Sequence, residues 1–455
     1  MSKRLLIIQV AGLGYDFFVR HNGGEEWRGL RFRPAESVFP AVTCTVQASF
    51  RTGAPPSAHG MVFNGVYLRD LRRPAFWEQS SALVEGPRIW DGFRAAGGRV
   101  GLLFWQQSLG EDADVLLSPA PVHKHGGGMV EAIHSRPVGL YDELVRRIGK
   151  RFKLMSYWGP LAGVGATRWI AAATREIVAM PDVAPDLLLT YLPHLDYDLQ
   201  RHGPSSGKAA RAFSELMSSL DPLVATARKN GYEVVVFGDY AFAEATRPLF
   251  PNRLLREKGF LQTRQVGKRH YPDFHYSRAF AVVDHEIAHV YVRDASEIDA
   301  IAAAMDGMDG VDEVLTGEAL KARGLRHPRS GEVVLVAEEG AWFAYPWWRE
   351  RAEAPDYAAH IDIHNKPGYD PCELFFGWPP FTVSSNPARI KGSHGRLGPG
   401  RQIAWAATCP IEPEPRDLIG LAQAVASVIR NQTQAEECPR NTRKDAKQGK
   451  EIWTG

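Results

Sequence analysis

Four short segments of almost uninterrupted apolar residues constrain the fold of this chain more than any other feature. They span residues 5–10, 100–104, 187–191 and 234–237. A strand that is apolar at every position is buried on both faces, which is typical of a parallel sheet covered by helices. Between the last two segments, apolar residues recur at steps of three and four and predict a helix that Pro222 kinks or restarts. The alternation predicts an α/β fold with a doubly wound, mostly parallel sheet flanked by helices.

A different pattern begins near residue 276 and predicts a small inserted α+β cap subdomain. Strand-like segments at 281–283, 289–292, 311–315 and 333–337 accompany a helix that starts after Asp294-x-x-Glu297, a spacing typical of a capping box. Segment 402–408 predicts a last core strand, and 418–429 a closing helix. We therefore expect an α/β core over 1–275, the cap over 276–340, the return of the core over 341–430, and a disordered polar tail over 431–455.

Composition and charge exclude several classes of protein. With 44% hydrophobic and 23% charged residues, the chain is neither disordered, collagen-like nor a coiled coil. A formal net charge of +2 predicts no nucleic-acid polymer and no membrane surface as a partner. The longest apolar runs are too short for a transmembrane helix, and the N-terminal run is too short for a secretory signal, so we expect a cytoplasmic protein. The oligomeric state stays open.

The four cysteines predict free thiols in a reducing compartment. Cys44, Cys372, Cys409 and Cys438 are scattered and include no C-x-x-C pair, which argues against a metal site built from cysteines.

The segment from Phe39 to Gly65 is the most informative about chemistry because hydroxyl side chains cluster within it. One interpretation is a buried strand-to-helix turn whose threonines cap the helix. The other is a hydroxyl nucleophile at a helix N-terminus, where backbone N–H groups and the helix dipole favour an anion. The residues alone leave both interpretations open.

This segment resembles the alkaline phosphatase superfamily, in particular its nucleotide pyrophosphatase/phosphodiesterase branch, and is also similar to phosphonoacetate hydrolase. In that branch the nucleophilic Thr precedes a Thr-Gly pair by nine residues, a His-Gly pair by sixteen and a phosphate-contacting Asn by 21. Counted from Thr43, these offsets fall on Thr52-Gly53, His59-Gly60 and Asn64. The resemblance implies that Thr43 and Asn64 are catalytic, with Thr45 as the alternative nucleophile.

The resemblance also implies a divalent metal cofactor, with zinc as the expected ion and the choice between one and two ions open. In the family's order, the first metal takes Asp196, Gln200 and His394, and the second takes Asp239 and Tyr240 beside the nucleophile. We expect the retained residues to meet at the carboxyl edge of one sheet.

Three substitutions depart from the family's ligand pattern. Ala11 stands where the family has an Asp ligand, and Gln200 and Tyr240 stand where it has His. A phenol is a poor ligand at neutral pH unless a metal removes its proton. If no other residue replaces these three ligands, the arrangement that holds a phosphoryl group between two metals is lost.

Other residues could compensate for the missing ligands. The candidates are His285 in the run Asp284–His289, Asp362 with His364, and His202, which pairs with Asp198 if the register shifts by two residues. Each group also has a structural interpretation, as hydrogen-bonded residues of a hairpin or as a surface pair. We expect either His285 or His364 to approach the first metal position.

Two functions remain in competition. The first is metal-dependent hydrolysis of a phosphodiester, pyrophosphate or related phosphorus ester through Thr43, acting on a small phosphorylated or phosphonate substrate that Arg247 and Arg396 help to bind. The alternative is a catalytically impaired family member that binds a phosphorylated ligand. The retained Asp196 and His394 favour the enzyme, whereas Ala11 favours the binding protein.

Overall fold

In a computed structural model, the chain is described over residues 4–125 and 128–437, with side chains described up to residue 430. The principal strands are β1 (Arg4–Val10), β2 (Arg33–Ala35), β3 (Val100–Leu103), β4 (Val115–Pro119), β5 (Ile133–Arg136), β6 (Leu187–Leu192), β7 (Tyr232–Gly238), β8 (Ala279–Asp284), β9 (Ile287–Val292), β10 (Val311–Thr316), β11 (Val333–Ala337) and β12 (Ile403–Ala407).

The helices connect and cover these strands. They are α1 (Tyr15–Asn22), α2 (Thr43–Thr52), α3 (Pro56–His59), α4 (Asp91–Ala95), α5 (Leu140–Ile148), α6 (Val164–Val178), α7 (His194–His202), α8 (Gly207–Lys229), α9 (Pro251–Glu257), α10 (Ile298–Asp306), α11 (Gly317–Ala322) and α12 (Leu418–Glu437). None of the helices in the described ranges is both long and apolar enough to cross a bilayer.

Short two-stranded ribbons lie in the segments that connect these strands and helices. They pair Glu26–Trp27 with Leu30–Arg31, Gly65–Leu68 with Arg73–Phe76, Val122–His123 with Met129–Val130, Ala243–Glu244 with Gly392–Ser393, Arg247–Leu249 with Ala341–Phe343, and Thr263–Val266 with Arg269–Pro272.

The central sheet has eight strands within the described residues, in the order β5-β4-β3-β6-β1-β7-β12-β2. The five strands from β4 to β7 in that order run parallel, whereas β5, β12 and β2 pair antiparallel at the two sides. The four apolar segments of the sequence form β3, β6, β1 and β7, side by side at the centre. The predicted α/β fold with a mostly parallel sheet flanked by helices is confirmed.

Alternate residues of the central strands enter cores on opposite faces of the sheet. Leu6 and Ile8 of β1 pack into the core that α6 and α8 cover, whereas Leu5 and Ile7 pack into the core that α2 and α12 cover. Burial on both faces explains why these strands are apolar throughout instead of alternating.

Two local predictions differ from the structure. Helix α8 is continuous through Pro222, so the predicted restart is wrong. The closing helix α12 runs to Glu437, beyond the predicted start of the tail, and residues 438–455 lie outside the described residues. Cys44, Cys372 and Cys409 are free thiols, while Cys438 also lies outside the described residues.

The inserted region forms an antiparallel sheet in the order β8-β9-β11-β10, with α10 and α11 between its strands along the chain. Its predicted capping box is only half formed. Asp294 accepts the N–H of Ser296 at 2.9 Å and caps a short 3₁₀ turn, but the Glu297 carboxylate binds Arg278 of the neighbouring strand edge. An ion pair across the cap thus replaces the local bond expected from the sequence.

The carboxyl ends of β1, β6 and β7 meet at one edge of the central sheet, because these neighbouring strands are parallel. The loop after β1 crosses directly over the end of β7. A Cβ on Gly238 would lie 2.1 Å from the carbonyl oxygen of Leu13, so only glycine allows this approach. The crossing places the chain after β1 beside Asp239, the residue that follows β7.

Candidate active site

Thr43 is the first residue of α2 and lies at the floor of a cleft above the carboxyl edge of the sheet. The residue before it, Val42, is extended and provides no side-chain cap. The next backbone N–H, of Cys44, donates to Oδ1 of Asn64 at 2.9 Å. A buried helix N-terminus with a hydroxyl in its first turn is a favourable place for an anion.

The cleft has an empty volume of about 650 Å³, open solvent included. Aromatic side chains form much of its wall, namely Trp77, Tyr157, Trp158, Tyr191, Tyr197, Tyr240 and Tyr369. None of the described residues that line it is lysine or arginine. Its polar floor consists of Thr43, Asn64, Asp196 and His285, with Asp370 and Glu373 at one side.

A continuous chain of hydrogen bonds crosses the floor of the cleft. The Tyr240 hydroxyl donates to Oδ1 of Asp196 at 2.9 Å and lies 3.1 Å from Oγ1 of Thr43. Gln200, one helical turn after Asp196, donates from Nε2 to Oδ2 at 2.6 Å, and its Oε1 accepts the hydroxyl of Tyr369 at 2.9 Å. Because Tyr240 has a single proton and donates it to the carboxylate, Thr43 must be the donor to the phenol oxygen.

Two buried histidines direct an unpaired nitrogen toward Asp196. His394 uses Nδ1 to bond the carbonyl oxygen of Ala41 at 2.8 Å, which fixes Nδ1 as the protonated nitrogen, and its Nε2 lies 3.7 Å from Oδ1 of Asp196. His285 uses Nδ1 to bond Oδ1 of Asp284 at 2.7 Å. The Nε2 atoms of both rings are buried and have no hydrogen-bond partner.

His285 occupies the turn between β8 and β9 with a strained backbone. Its φ is +60°, in the left-handed region that side chains rarely adopt. Asp284 holds the turn in place, because its carboxylate accepts the backbone N–H of Asn64 at 2.8 Å and the Asn64 amide at 3.1 Å. Strain of this kind, about 1–3 kcal/mol, persists where surrounding contacts enforce it and is common at functional sites.

Asp239 is buried and its carboxylate accepts three N–H groups. Oδ1 accepts the backbone N–H of Gly12 at 2.8 Å and that of Tyr240 at 3.0 Å, while Oδ2 accepts Nε2 of Gln9 at 3.1 Å. Burial raises the pKa of Asp239 well above its usual range, although these donors oppose the shift. Ala11, which precedes the donor Gly12, has only a methyl side chain and offers no ligand atom for a metal.

Asp196, His285 and His394 form the histidine–aspartate cluster, whose ligand atoms all lie within 4.8 Å of one another. Two imidazoles and a carboxylate are the donor set of many catalytic zinc sites. The Nδ1–H bonds to a carboxylate and to a backbone carbonyl are the supports that metal-bound histidines ordinarily have. The cluster therefore fits one divalent cation.

Other residues expected at the site lie elsewhere. Of the two compensating histidines, His285 reaches the cluster, whereas His364 bonds the carbonyl of Phe76 and lines a separate cleft with Asp362. His202, at the end of α7, does not belong to the cluster.

Neither predicted phosphate-binding arginine lines the cleft among the described residues. Arg247 pairs with Asp309 and Glu338, and Arg396 pairs with Asp312 and donates to the carbonyl of Ala337. Both side chains are therefore held by carboxylates away from the lining of the cleft, and their role in substrate binding stays a prediction.

The roles of three residues at the site were not predicted from the sequence. They are Gln9, Tyr369, and Asp284 in its role of bonding both His285 and Asn64. Gln9 offered a signal, because it is the one polar side chain within the apolar run of β1. Tyr369 stacks on the ring of His285 with centroids 4.0 Å apart. This contact joins segments far apart in the chain, so no local sequence pattern predicts it.

His59 supports the segment around α2 instead of binding a ligand. Its Nδ1 accepts the N–H of Met61, so Nε2 carries the proton and bonds Oγ of Ser49 at 2.8 Å. Burial, together with the charge of Arg51, lowers the pKa of His59 to about 3. A depressed pKa means that the neutral ring stabilises the fold fully above the unfolded pKa of 6.5 and progressively less as pH falls toward 3.

We therefore predict that His59 makes folding stability depend on pH. Between pH 7 and pH 5 its contribution to the free energy of unfolding should fall by about 2 kcal/mol. Denaturant unfolding of wild type and His59→Gln at both pH values isolates this contribution from other titrating groups. A stability difference between the two proteins that stays constant with pH would contradict it.

Comparison with known proteins identifies relatives of the fold and of the sequence. The family model described as Type I phosphodiesterase / nucleotide pyrophosphatase matches residues 26–370. No curated protein matches the chain.

Two kinds of solved structure resemble the whole chain. Phosphonoacetate hydrolase from Sinorhizobium meliloti 1021, in complex with phosphonoformate, has a TM-score of 0.59 at 17% identity and covers 94% of this chain and 96% of its own. Murine ectonucleotide pyrophosphatase / phosphodiesterase 5 has a TM-score of 0.59 at 14% identity, covering 94% and 95%. The human counterpart has a TM-score of 0.60 at the same identity and coverage. At these identities the likeness establishes a shared fold.

Proposed function

The chain belongs to the Type I phosphodiesterase / nucleotide pyrophosphatase family, and from that membership we propose that it hydrolyses a phosphodiester or pyrophosphate through Thr43 with the help of a divalent metal ion. Membership supports a phosphoester hydrolase; the nucleophile and the metal are the finer parts of the proposal.

The observation that carries the proposal is the position of the Thr43 hydroxyl. It lies at the N-terminus of α2, opens onto the cleft, and is joined through Tyr240 to Asp196. Since the hydroxyl proton points to the Tyr240 oxygen, a lone pair of Oγ1 is left to attack phosphorus. The Thr–phosphorus bond forms as the bond to the leaving oxygen breaks, the Thr43 proton passes to the Tyr240 oxygen as Tyr240 gives its own proton to Asp196, and water then cleaves the bond between phosphorus and the Thr43 oxygen.

The charge of the cleft supports a metal requirement. Phosphoryl transfer is promoted chiefly by positive charge on the oxygens of the transferring group. The described residues that line the cleft include no lysine or arginine, and Asp196 adds negative charge. Asp196 and His394 would hold the metal ion, which supplies a Lewis acid for phosphorus-bound oxygen when bound.

The same charge pattern favours a diester over a dianionic substrate. A diester carries one negative charge, whereas a phosphate monoester or phosphonoacetate carries two or more and would lie near Asp196 with no lysine or arginine among the described residues that line the cleft. The aromatic wall that includes Trp77 and Trp158 offers flat apolar surface for a planar group such as an aryl or nucleoside moiety.

A second function, binding of a phosphorylated ligand without turnover, is favoured by one specific observation. At the second metal position Ala11 offers no donor, and three N–H groups already occupy most of the lone pairs of the Asp239 carboxylate. The helix N-terminus, Asn64 and the aromatic wall would serve a binding protein equally well. Turnover distinguishes the two functions.

The test is hydrolysis of a set of chromogenic substrates by the full chain reconstituted with zinc, manganese or cobalt. We expect bis(p-nitrophenyl) phosphate to be cleaved with a kcat/KM about tenfold or more above that of p-nitrophenyl phosphate, corresponding to ~1.4 kcal/mol of transition-state preference. Phosphonoacetate should be a poor substrate. Dialysis against a chelator should remove the activity, and metal should restore it.

Three results would argue against this function. Preference for the monoester would contradict the charge argument, and full activity after exhaustive chelation would contradict the metal requirement. Binding of a nucleotide without cleavage of any ester, in protein of verified metal content, would favour the binding protein.

A further inference from the structure

The second metal position expected for the family does not fit a cation in this chain. Of the donors expected there, position 11 holds a methyl group and the Asp239 carboxylate already accepts three N–H groups. The one lone pair of the Asp239 carboxylate that accepts no N–H is on Oδ2, so Asp239 could offer a cation a single donor atom. A single carboxylate oxygen, with a methyl group at position 11 and a phenol at position 240, does not make a ligand set for a divalent cation.

Tyr240 fills the gap that these substitutions leave. Its phenol oxygen lies 3.1 Å from Oγ1 of Thr43 and 2.9 Å from Oδ1 of Asp196, so it bridges the nucleophile and the cluster. The ring is fully buried and stacks on His394, with centroids 3.5 Å apart and planes 1° apart. Because this stacking fixes the ring, the hydroxyl orients Thr43 without a cation.

The first position, by contrast, gains a ligand from the inserted sheet. His285 and His394 have ring centroids 3.8 Å apart, and both buried Nε2 atoms lack partners. The separation of 3.7 Å between Nε2 of His394 and Oδ1 of Asp196 is close to the ~3.4 Å between ligands of a tetrahedral zinc site. An unpaired buried imidazole nitrogen is costly unless something binds it.

We propose that this chain binds one divalent cation, held by Asp196, His394 and His285, and that the Tyr240 phenol takes the place of a second cation by positioning Thr43. The assignment deepens the proposed function, since it names the ligands and number of the ions. Gln200 supports Asp196 instead of completing the ligand set, because its amide nitrogen faces the carboxylate. The hairpin of the inserted sheet is then part of the metal centre.

The metal content of the full chain tests this assignment independently of activity. We expect one zinc or cobalt ion per chain by plasma mass spectrometry after dialysis, and a cobalt absorption spectrum of four- or five-coordinate intensity. His285→Ala and the gentler His285→Gln should each weaken metal affinity by at least about 100-fold, the upper end of what loss of a residue that only supports a ligand costs. His364→Ala, which removes a histidine outside the cluster, should leave affinity unchanged.

Restoring the missing donors should restore the second ion. Ala11→Asp combined with Tyr240→His should raise the content from one ion to two. Ala11→Asn combined with Tyr240→Phe, of similar size but without ligand charge, should remain at one. A circular dichroism melt of each metal-free variant verifies that it is folded.

Two ions in the wild-type chain, no ion, or unaltered affinity in both folded His285 variants would overturn the assignment. These results differ from those that bear on the proposed function. If the chain binds one ion through His285 but cleaves no ester, the metal assignment stands and the proposed hydrolase function fails. If the chain hydrolyses esters through Thr43 with two bound ions, the hydrolase function stands and the one-ion assignment fails.

Discussion

Replacing Thr43 with alanine is expected to reduce phosphodiester turnover by at least about 10³-fold, since loss of a nucleophile removes both steps of the displacement. The substitution deletes the only described hydroxyl that both lines the cleft and begins α2. It leaves the cluster of Asp196, His285 and His394 intact. Initial rates with bis(p-nitrophenyl) phosphate at saturating metal measure the loss, and rapid quenching should trap a p-nitrophenyl phosphoryl group on wild-type protein alone.

Thr45 provides the matched control, because it is the alternative nucleophile of the same helix. Its side chain is fully buried and does not line the cleft among the described residues. Thr45→Ala should therefore retain turnover within a few-fold once its melting temperature has been checked. Thr43→Ser keeps a hydroxyl and should recover part of the rate. Equal turnover in wild type and Thr43→Ala would exclude the threonine mechanism.

The core of this fold was predictable because its strands are buried on both faces. A run such as Leu5-Leu6-Ile7-Ile8 has only one common explanation, and parallel neighbours then bring the ends of β1, β6 and β7 together. Local sequence signals for helix caps and helix ends were less reliable, because tertiary contacts compete with the local bonds that these signals imply. Glu297 binds Arg278 across the cap instead of closing a capping box, and packing carries α8 through Pro222.

The candidate site likewise has residues that the sequence predicts and residues whose position only tertiary contacts determine. Thr43, Asp196 and His394 could be proposed because family spacing locates them, and the structure brings them together. The choice between His285 and His364 could not be made, since both follow strand-like segments and only the inserted sheet determines which one faces the cleft. Nor could spacing show that Arg247 and Arg396 are held by carboxylates of their own surface.

The far side of the cleft depends on a buried ion cluster whose loss should strongly destabilise the fold. Lys366 lies 2.8 Å from a carboxylate oxygen of Asp370 and 2.7 Å from one of Glu373, and all three side chains are at least nine-tenths buried. Burial alone would lower the pKa of Lys366, but the two carboxylates outweigh it and raise the pKa. The charge that joins the three groups is therefore present throughout the neutral range and is lost only at strongly alkaline pH.

Lys366→Met keeps the length of the side chain and removes the cation, which leaves two carboxylates buried with backbone N–H donors but without a balancing charge. We expect the free energy of unfolding at pH 7 to fall by about 3–5 kcal/mol, the usual penalty for breaking a buried ion pair. The exposed Lys391→Met, a like substitution nearby in sequence, should change it by no more than about 0.5 kcal/mol. The deficit of Lys366→Met should shrink as pH falls toward 5, because burial already raises the pKa of Glu373 and loss of the Lys366 ammonium removes the charge that opposes this shift, so Glu373 takes up a proton more readily in the folded variant than in the unfolded chain. Urea unfolding at both pH values measures these differences, and a deficit that stays constant with pH would mean that Lys366 acts through packing rather than charge.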